Sequence, residues 1–455
     1  MTEIQPPKPK ENKMGVMPIP KLLLDMSIPM IISMMVQALY NVVDSIFVAR
    51  INEHALTAVS LAFPIQSFMI GVGVGTGVGV NAFLSKSLGE KNFAVVNKSA
   101  RNGLFLAWVS CAAFMAFGLA GSEAFFAFQT DIGEITGYGR DYLSVICGLS
   151  FGMFSQIMLE RLLISTGKTF YAMISQSAGA VTNIILDPIM IFGLLGCPAM
   201  GVTGAAAATV IGQTVGASLA LYFNIRHNPE ICLSLRGFRP DAVIIKRIYA
   251  VGLPSILMAS LGSFMTYGLN RLLLSFTSTA VAVFGVYFKL QSFVFLPIFG
   301  LNNAMVPIIA YNYGAKKKER VMQTIRLSAM CAVGIMLIGA AAFQLFPKEL
   351  LAQFNAAPDM LAIGVPALRI ISIHFLFAGF CIVSLSVFQA LGNGQESLIV
   401  AASRQLLLLL PIAYLLSLSG KVNAIWWSFP ITEVATLALC AFFSKRVYDR
   451  KMKAI

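Results

Sequence analysis

The chain has 455 residues, of which 57% are hydrophobic and only 12% are charged. A soluble domain would carry about 25% charged residues, so the composition excludes an ordinary soluble protein and indicates a polytopic membrane protein. The formal net charge of +13 would suggest nucleic-acid binding in a soluble chain. Here the basic residues fall in short loops between apolar segments, so we expect no nucleic-acid partner.

The N-terminal residues 1–20 are polar and rich in Pro and Lys, which is typical of a disordered tail. Twelve apolar segments follow, and each has the roughly 20 residues or more that a helix needs to cross a bilayer. They cover residues 21–50, 56–87, 97–120, 137–166, 170–193, 200–225, 246–275, 280–312, 324–346, 361–391, 395–418 and 423–445.

The distribution of basic residues predicts the orientation of these spans. The tails and every second loop are rich in Lys and Arg, whereas the loops between them contain only Arg50, Arg140, Lys348 and Lys421. Cytoplasmic loops carry the excess of positive charge, so we expect a multi-pass protein of the cell (plasma) membrane with both termini in the cytoplasm.

The first span carries three polar residues on one helical face. Gln37, Asn41 and Asp44 are separated by four and three residues, which is the spacing of one face. Asp44 lies about six residues before the outer end of the span, or roughly 9 Å below it at 1.5 Å per residue. A carboxylate is costly in hydrocarbon, so Asp44 predicts a functional site.

The fifth span repeats this arrangement at a similar depth. Gln176, Asn183 and Asp187 share one face, and Pro188 weakens the backbone hydrogen bonding beside Asp187. Two carboxylates at one depth can share a proton or bind Na⁺ at a site formed by Asp44, Asn183 and Asp187, supported by the amides of the two spans. The alternative is a polar cluster that only holds helices together.

Other polar residues inside spans are weaker candidates. Lys289 and Gln291, together with Gln66 and His374, are candidates for the wall of a substrate cavity. Lys289 could instead pair with a carboxylate, and a packing role is favoured for His374. Glu160 and Arg161, near the cytoplasmic end of the fourth span, could gate the transport path, but capping and anchoring are favoured.

The sequence matches itself without gaps at an offset of 225 residues. Pro29 then aligns with Pro254, Gly75 with Gly300, and Ile65-Gln-Ser-Phe68 with Leu290-Gln-Ser-Phe293. Each copy has six spans, an even number, so both insert with the same orientation around an axis along the membrane normal. The sequence therefore predicts a six-helix N-terminal lobe at 21–225, a cytoplasmic linker at 226–245, a six-helix C-terminal lobe at 246–447 and a second tail at 448–455.

The repeat does not copy the carboxylates. Asp44 aligns with Leu269, and Asp187 aligns with Ile412. The scaffold is therefore duplicated, whereas the acidic residues are confined to the N-terminal lobe.

Four stretches resemble segments of the MATE family of multidrug and toxic compound extrusion transporters, nearest to MepA-like bacterial members close to the DinF branch. They are Asn41–Ala49, Asn183–Pro188, Tyr287–Phe293 and Asn312–Lys316. The resemblance covers essentially the whole chain. It implies an all-α protein with twelve transmembrane helices in two six-helix lobes, which exports cationic drugs in exchange for protons or sodium.

The resemblance also implies that Asp44, Asn183 and Asp187 form the cation site. In the NorM branch, acidic residues in the seventh and tenth helices bind sodium, but this chain has no Asp or Glu in those spans (255–275 and 362–391). Coupling is therefore expected in the N-terminal lobe.

The sequence thus predicts a cation-coupled antiporter for amphipathic organic cations, drugs and dyes. We expect a monomer surrounded by membrane lipids, with H⁺ or Na⁺ as coupling ion and no cofactor or enzymatic activity. One alternative is a flippase for lipid-linked oligosaccharides, for which only Lys289 argues. Another is a passive channel or membrane scaffold, against which the two-lobe repeat and the asymmetric carboxylates argue.

Overall fold

The computed structural model describes residues 11–234, 236–354 and 356–453, which form helices and no strand. The helices of the N-terminal lobe are α1 (Ile19–Ala49), α2 (Glu53–Gly89), α3 (Phe93–Ala120), α4 (Gly133–Gly148), α5 (Phe151–Ser165), α6 (Thr169–Phe192) and α7 (Gly201–His227). Those of the C-terminal lobe are α8 (Ala242–Leu274), α9 (Ser278–Gly314), α10 (Lys318–Leu345), α11 (Pro358–Ser372), α12 (Phe375–Ala390), α13 (Gly394–Ala402), α14 (Leu409–Ser417) and α15 (Ser428–Val447). Shorter helical segments cover Lys13–Val16, Ser122–Gln129, Leu194–Gly196, Pro347–Ala352, Val422–Trp426 and Tyr448–Met452, and a π-helical segment, Ser403–Leu408, joins α13 to α14.

These helices form the twelve spans. Within the described chain, nine spans are single apolar helices of sufficient length, with α13 and α14 counted as one, and two more are the bent pairs α4–α5 and α11–α12. The twelfth is α6, a helix of 24 residues that contains Asn183 and Asp187. The predicted all-α fold of twelve transmembrane helices in two lobes is confirmed.

The two lobes contact each other through pairs of positions that the repeat relates. Gly75 of α2 lies against the backbone of Ile256 in α8, so closely that a Cβ atom at Gly75 would overlap it. Gly300 of α9 lies in the same way against Ile31 of α1. Gly300 lies 225 positions after Gly75, and Ile256 lies 225 positions after Ile31. The lobes are therefore related by a pseudo-two-fold axis, and each lobe's second span packs on the other lobe's first span.

A second symmetric pair closes the end of the molecule that carries the basic loops. Gly89, at the end of α2, lies against the Tyr311 carbonyl, and Gly314, at the end of α9, lies against the Lys86 carbonyl. Only glycine leaves room for a backbone approach this close. The lobes are consequently in direct backbone contact at this end.

Two spans are broken by sharp bends that do not lie at prolines. α4 and α5 meet at 45° and α11 and α12 at 52°. The intervening residues are Leu149 and Ser150 in one lobe and Ile373 and His374 in the other. At the offset of 225 residues the two breaks lie within one position of each other, so the bend belongs to the repeated scaffold.

The prediction of a disordered N-terminal tail is wrong for residues 11–20, while residues 1–10 lie outside the described part. The segment Lys13–Val16 is helical, and Met14 is fully buried. On one side the Asn12 amide donates to the Thr166 carbonyl of the N-terminal lobe (2.9 Å). On the other, Arg320 of the C-terminal lobe donates to the Met14 carbonyl (3.0 Å). The segment therefore bridges the two lobes at the end that carries the basic loops.

Candidate functional site

The polar centre of the N-terminal lobe is formed by two residues one helical turn apart on α6. Asp187 is fully buried and Asn183 is 2% exposed. The Asn183 amide donates to Asp187 Oδ1 (3.3 Å) and to the hydroxyl of Thr209 on α7 (3.2 Å). The i, i+4 spacing places the amide directly over the carboxylate, so the helix itself sets this geometry.

Asp44 lies on α1, which packs against α6. Asp44 is close enough to Asp187 for the two charges to repel each other. Tyr40, one turn before Asp44, lies next to Thr209. We call Asp44, Asn183, Asp187 and Thr209 the N-lobe polar cluster.

The N-lobe polar cluster has unused capacity to bind a cation. Asp44 Oδ1, Asn183 Oδ1 and Asp187 Oδ2 are each buried without a hydrogen-bond partner among the described residues. Buried acceptors are rarely left unpaired, and oxygens of this kind are the ligands that suit a proton or a small hard cation. The described residues contain no group of three or more His, Cys, Asp or Glu side chains suited to a metal, so the cluster has only two carboxylates.

The predicted supporting amides lie at the edge of a cavity beside the cluster. This N-lobe cavity has a volume of ≈ 330 Å³, and Gln37, Asn41, Gln176 and Asn183 are among its lining residues. Gln176 donates to Gln37 (3.0 Å), which links α6 to α1. The two faces that the sequence predicted to be polar therefore meet at one cavity.

A larger cavity lies between the lobes and has a different chemical character. Its volume is ≈ 540 Å³, and its lining includes residues from α2, α5, α8, α9, α12 and α13. Its polar lining residues are amides, hydroxyls and arginines, namely Asn81, Arg161, Ser255, Asn302, Asn303, Ser386, Gln389, Arg404 and Gln405, with no Asp or Glu. We call it the interlobe cavity.

Sequence reasoning misplaced Glu160 and Arg161. Both line the N-lobe cavity, and Arg161 also lines the interlobe cavity. Glu160 Oε1 accepts a hydrogen bond from Gln156 (2.9 Å), and Arg161 Nη1 donates to Asn303 Oδ1 of the other lobe (2.8 Å). They are therefore not end-capping or anchoring residues, as their position in the fourth span had indicated. The available signal in the sequence was the presence of two charged residues inside an otherwise apolar span.

The four residues predicted to face a substrate cavity are not among the residues that line these two cavities. His374 is 3% exposed and packs against Phe295 and Phe375, with its Nδ1 2.6 Å from the Ile371 carbonyl. Lys289 is exposed, and Gln291 is partly buried. Gln66 lies beside the hydroxyl of Tyr142.

The C-terminal lobe contains an ion pair that connects two spans. Arg404 Nε donates to Glu433 Oε2 (2.9 Å), and the two side chains are 19% and 3% exposed. Arg404 lies in the π-helical segment Ser403–Leu408, shortly before Pro411. Proline offers no N–H to the carbonyl four residues earlier, which permits the wider turn there.

Breaking this pair should destabilise the C-terminal lobe. Arg404→Met leaves the buried Glu433 carboxylate without its partner, and we expect a loss of about 3–5 kcal/mol in the free energy of unfolding in detergent. Lys453→Met, which breaks the exposed pair with Asp449, should cost about 0–1 kcal/mol. The double variant Arg404→Met/Glu433→Leu should regain most of the stability. A loss in Arg404→Met no larger than that in Lys453→Met would contradict this assignment.

Comparison with known proteins agrees with the fold. The MatE family model matches residues 29–189 and 254–415, and the second match begins 225 residues after the first. The predicted repeat is thereby confirmed.

Two curated relatives are named multidrug export protein MepA. That of Staphylococcus haemolyticus (strain JCSC1435) is 26% identical over 437 residues, which cover 93% of this chain and 92% of the relative. That of Staphylococcus saprophyticus is 28% identical over 425 residues, covering 91% and 90%. The solved structure of a multidrug resistance MATE family transporter of the MOP superfamily, in an outward-facing conformation, is 25% identical, with 98% of this chain and 100% of that chain covered and a TM-score of 0.91.

The family match covers most of both lobes, and the relatives are similar along nearly the full length. The resemblance to MepA-like members that the sequence motifs indicated is confirmed, and the chain belongs to the MatE family.

Proposed function

We propose that this protein is a multidrug exporter that exchanges amphipathic organic cations for H⁺ or Na⁺. It is a membrane transporter and not an enzyme. Its relatives are named for multidrug export, and both cavities have the mixed apolar and polar lining that suits flat amphipathic molecules. The observation that carries the coupling proposal is the N-lobe polar cluster, with three buried oxygens that have no partner among the described residues.

In this proposal, the ion acts by relieving charge in the N-lobe polar cluster. With Asp44 and Asp187 both ionised, the two buried carboxylates repel each other, so that a bound proton or Na⁺ stabilises the arrangement in which they are close. Drug binding in the adjoining N-lobe cavity favours the arrangement in which the ion is absent. Exchange follows because the ion and the drug stabilise different conformations.

The orientation belongs to the same proposal. Both termini lie in the cytoplasm of a cell-membrane protein, so the glycine contacts between α2 and α9 close the cytoplasmic side. One chain contains both lobes and both cavities, and it works as a monomer. A flippase for lipid-linked oligosaccharides would not need paired carboxylates in one lobe. A passive channel would not need a bound ion that relieves the repulsion between two carboxylates.

The coupling ion can be identified by imposing one gradient at a time. Purified protein is reconstituted into vesicles that contain ethidium, and a pH gradient or a Na⁺ gradient is applied with the membrane potential held at zero. We expect one of the two gradients to accelerate ethidium efflux above the rate in protein-free vesicles. Equal rates with and without protein under both gradients would refute the antiport proposal.

A further inference from the structure

The described structure contains one buried cation at the boundary between the two cavities. Arg161 on α5 is 8% exposed and lines both the N-lobe cavity and the interlobe cavity. A guanidinium remains protonated in proteins, so this side chain carries a full positive charge. No carboxylate of the described residues lies within 4.0 Å of it, since none of the ion pairs there includes Arg161. Buried charges are normally paired, because removal from water is strongly unfavourable.

The partner of Arg161 is neutral and satisfies only part of its hydrogen-bonding capacity. Nη1 donates to Asn303 Oδ1 (2.8 Å), and the other N–H groups have no acceptor among the described residues. Arginine has five N–H donors in a planar fork that matches a carboxylate. Arg404, which lines the interlobe cavity from the opposite lobe, already has a carboxylate partner in Glu433. Arg161 is therefore the cation of this cavity that is available to an incoming anion.

The surrounding helix leaves space for this side chain. A Cβ atom at Gly77 of α2 would lie 2.6 Å from Cγ of Arg161, so the aliphatic part of Arg161 occupies the room that glycine provides. Burial of this stem fixes the position of the guanidinium at the junction of the cavities. Glu160, the preceding residue, lines the N-lobe cavity and is bonded to Gln156. Successive residues of a helix point about 100° apart, so the Glu160 carboxylate lies near enough to interact electrostatically with Arg161 but forms no close ion pair with it among the described residues.

We propose that Arg161 binds the carboxylate of zwitterionic drugs, and this proposal rests on the proposed function as a drug exporter. Zwitterionic drugs are here amphipathic molecules that carry both a basic amine and an acid. The amine lies in the N-lobe cavity beside Glu160, and the carboxylate accepts hydrogen bonds from Arg161. A simple organic cation leaves Arg161 uncompensated, and a simple anion meets Glu160. A zwitterion compensates both charges.

A matched pair of dyes tests this assignment. Rhodamine B carries a free carboxylate and a delocalised cation, whereas its ethyl ester carries only the cation and has nearly the same shape. Binding of each dye to the purified full-length protein in detergent is measured by fluorescence anisotropy. We expect Arg161→Gln to weaken rhodamine B binding about tenfold, as for one lost charge-assisted hydrogen-bond pair. The affinity for the ester should stay the same or increase.

A second variant tests the same contact with Arg161 retained. Asn303→Asp places a carboxylate at the position that already accepts from Arg161, so this internal anion competes with that of the dye. It should reduce the preference for rhodamine B over the ester as Arg161→Gln does, and it remains informative if Arg161→Gln does not fold. Gln405→Glu adds the same charge to the interlobe cavity beside Arg404 and should have the smaller effect.

Two outcomes would overturn the proposal: an unchanged ratio of the two dissociation constants in both Arg161→Gln and Asn303→Asp, or an equal effect of Gln405→Glu and Asn303→Asp. The second outcome would mean that the electrostatic potential of the whole cavity selects the dye.

Gradient-driven efflux of the ester from vesicles separates this test from the test of the proposed exporter function. Export of the ester without any effect of Arg161 on the ratio refutes only the carboxylate contact, whereas an Arg161-dependent ratio without export refutes only the exporter.

Discussion

Asp187→Asn is expected to abolish gradient-driven dye export and to leave the protein folded. The amide has the shape of the carboxylate and can still accept a hydrogen bond from Asn183, which lies 3.3 Å from Oδ1. It cannot take up a proton or supply the negative charge that a cation needs. Ion binding then no longer distinguishes the two conformations, and a ligand without differential affinity shifts no equilibrium. Efflux from vesicles should fall to the rate of protein-free vesicles.

The control for this variant is Asp141→Asn, which removes an exposed carboxylate that lies 3.1 Å from Arg140. Its efflux rate should equal that of the wild-type protein. Thermal unfolding in detergent should give similar midpoints for both variants, which would show that lost export does not reflect misfolding. Full gradient-driven efflux by Asp187→Asn would remove Asp187 from the coupling site and leave the alternative of a purely structural polar cluster.

Gly314→Val should open the end of the molecule that carries the basic loops and should slow export at least about tenfold. Gly314 lies against the Lys86 carbonyl, and a side chain there would overlap backbone that cannot move without the helix. Overpacking of a tight contact typically costs about 1–3 kcal/mol, enough to shift two conformations of similar energy by about tenfold or more. The conformation with this end closed should therefore lose population.

Spin labels at Glu90 and Glu319, exposed positions on opposite lobes at this end, can measure the change in a cysteine-free background. The distance distribution should move to longer values in Gly314→Val. Gly285→Val provides a matched control on the same helix, because a Cβ atom at Gly285 meets nothing within 4 Å. An unchanged distribution in Gly314→Val would show that the close backbone contact does not hold the lobes together.

The spans and the duplication could be predicted because they depend on local composition and on a constant offset. The length of the apolar segments identified all twelve spans. The offset of 225 residues aligned Gly75 with Gly300, which make equivalent contacts between the lobes. The breaks within the fourth and tenth spans were missed. Their residues, such as Leu149 and Ile373, are as apolar as the helices they separate, and no proline or long polar stretch marks them.

The candidate site was predictable where one helix determines it. Asn183 and Asp187 meet because they are one turn apart, and Asp44 lies on the polar face of its own helix. Contacts between distant helices had no comparable signal. Arg161 and Asn303 are 142 residues apart, and Arg404 and Glu433 are on different spans. Whether a buried arginine is paired depends on tertiary packing, which helical periodicity does not report.

The reciprocal glycine contacts have a consequence for the origin of the chain. Each six-span copy supplies both the recess at its second helix and the surface of its first helix that fills the other copy's recess. Two identical copies would thus form an isologous homodimer with the same contacts. In such a dimer every substitution occurs twice, so both halves must carry the same acidic residues. Fusion into one polypeptide removes that constraint and allows one half to specialise, as the carboxylates opposite Leu269 and Ile412 illustrate.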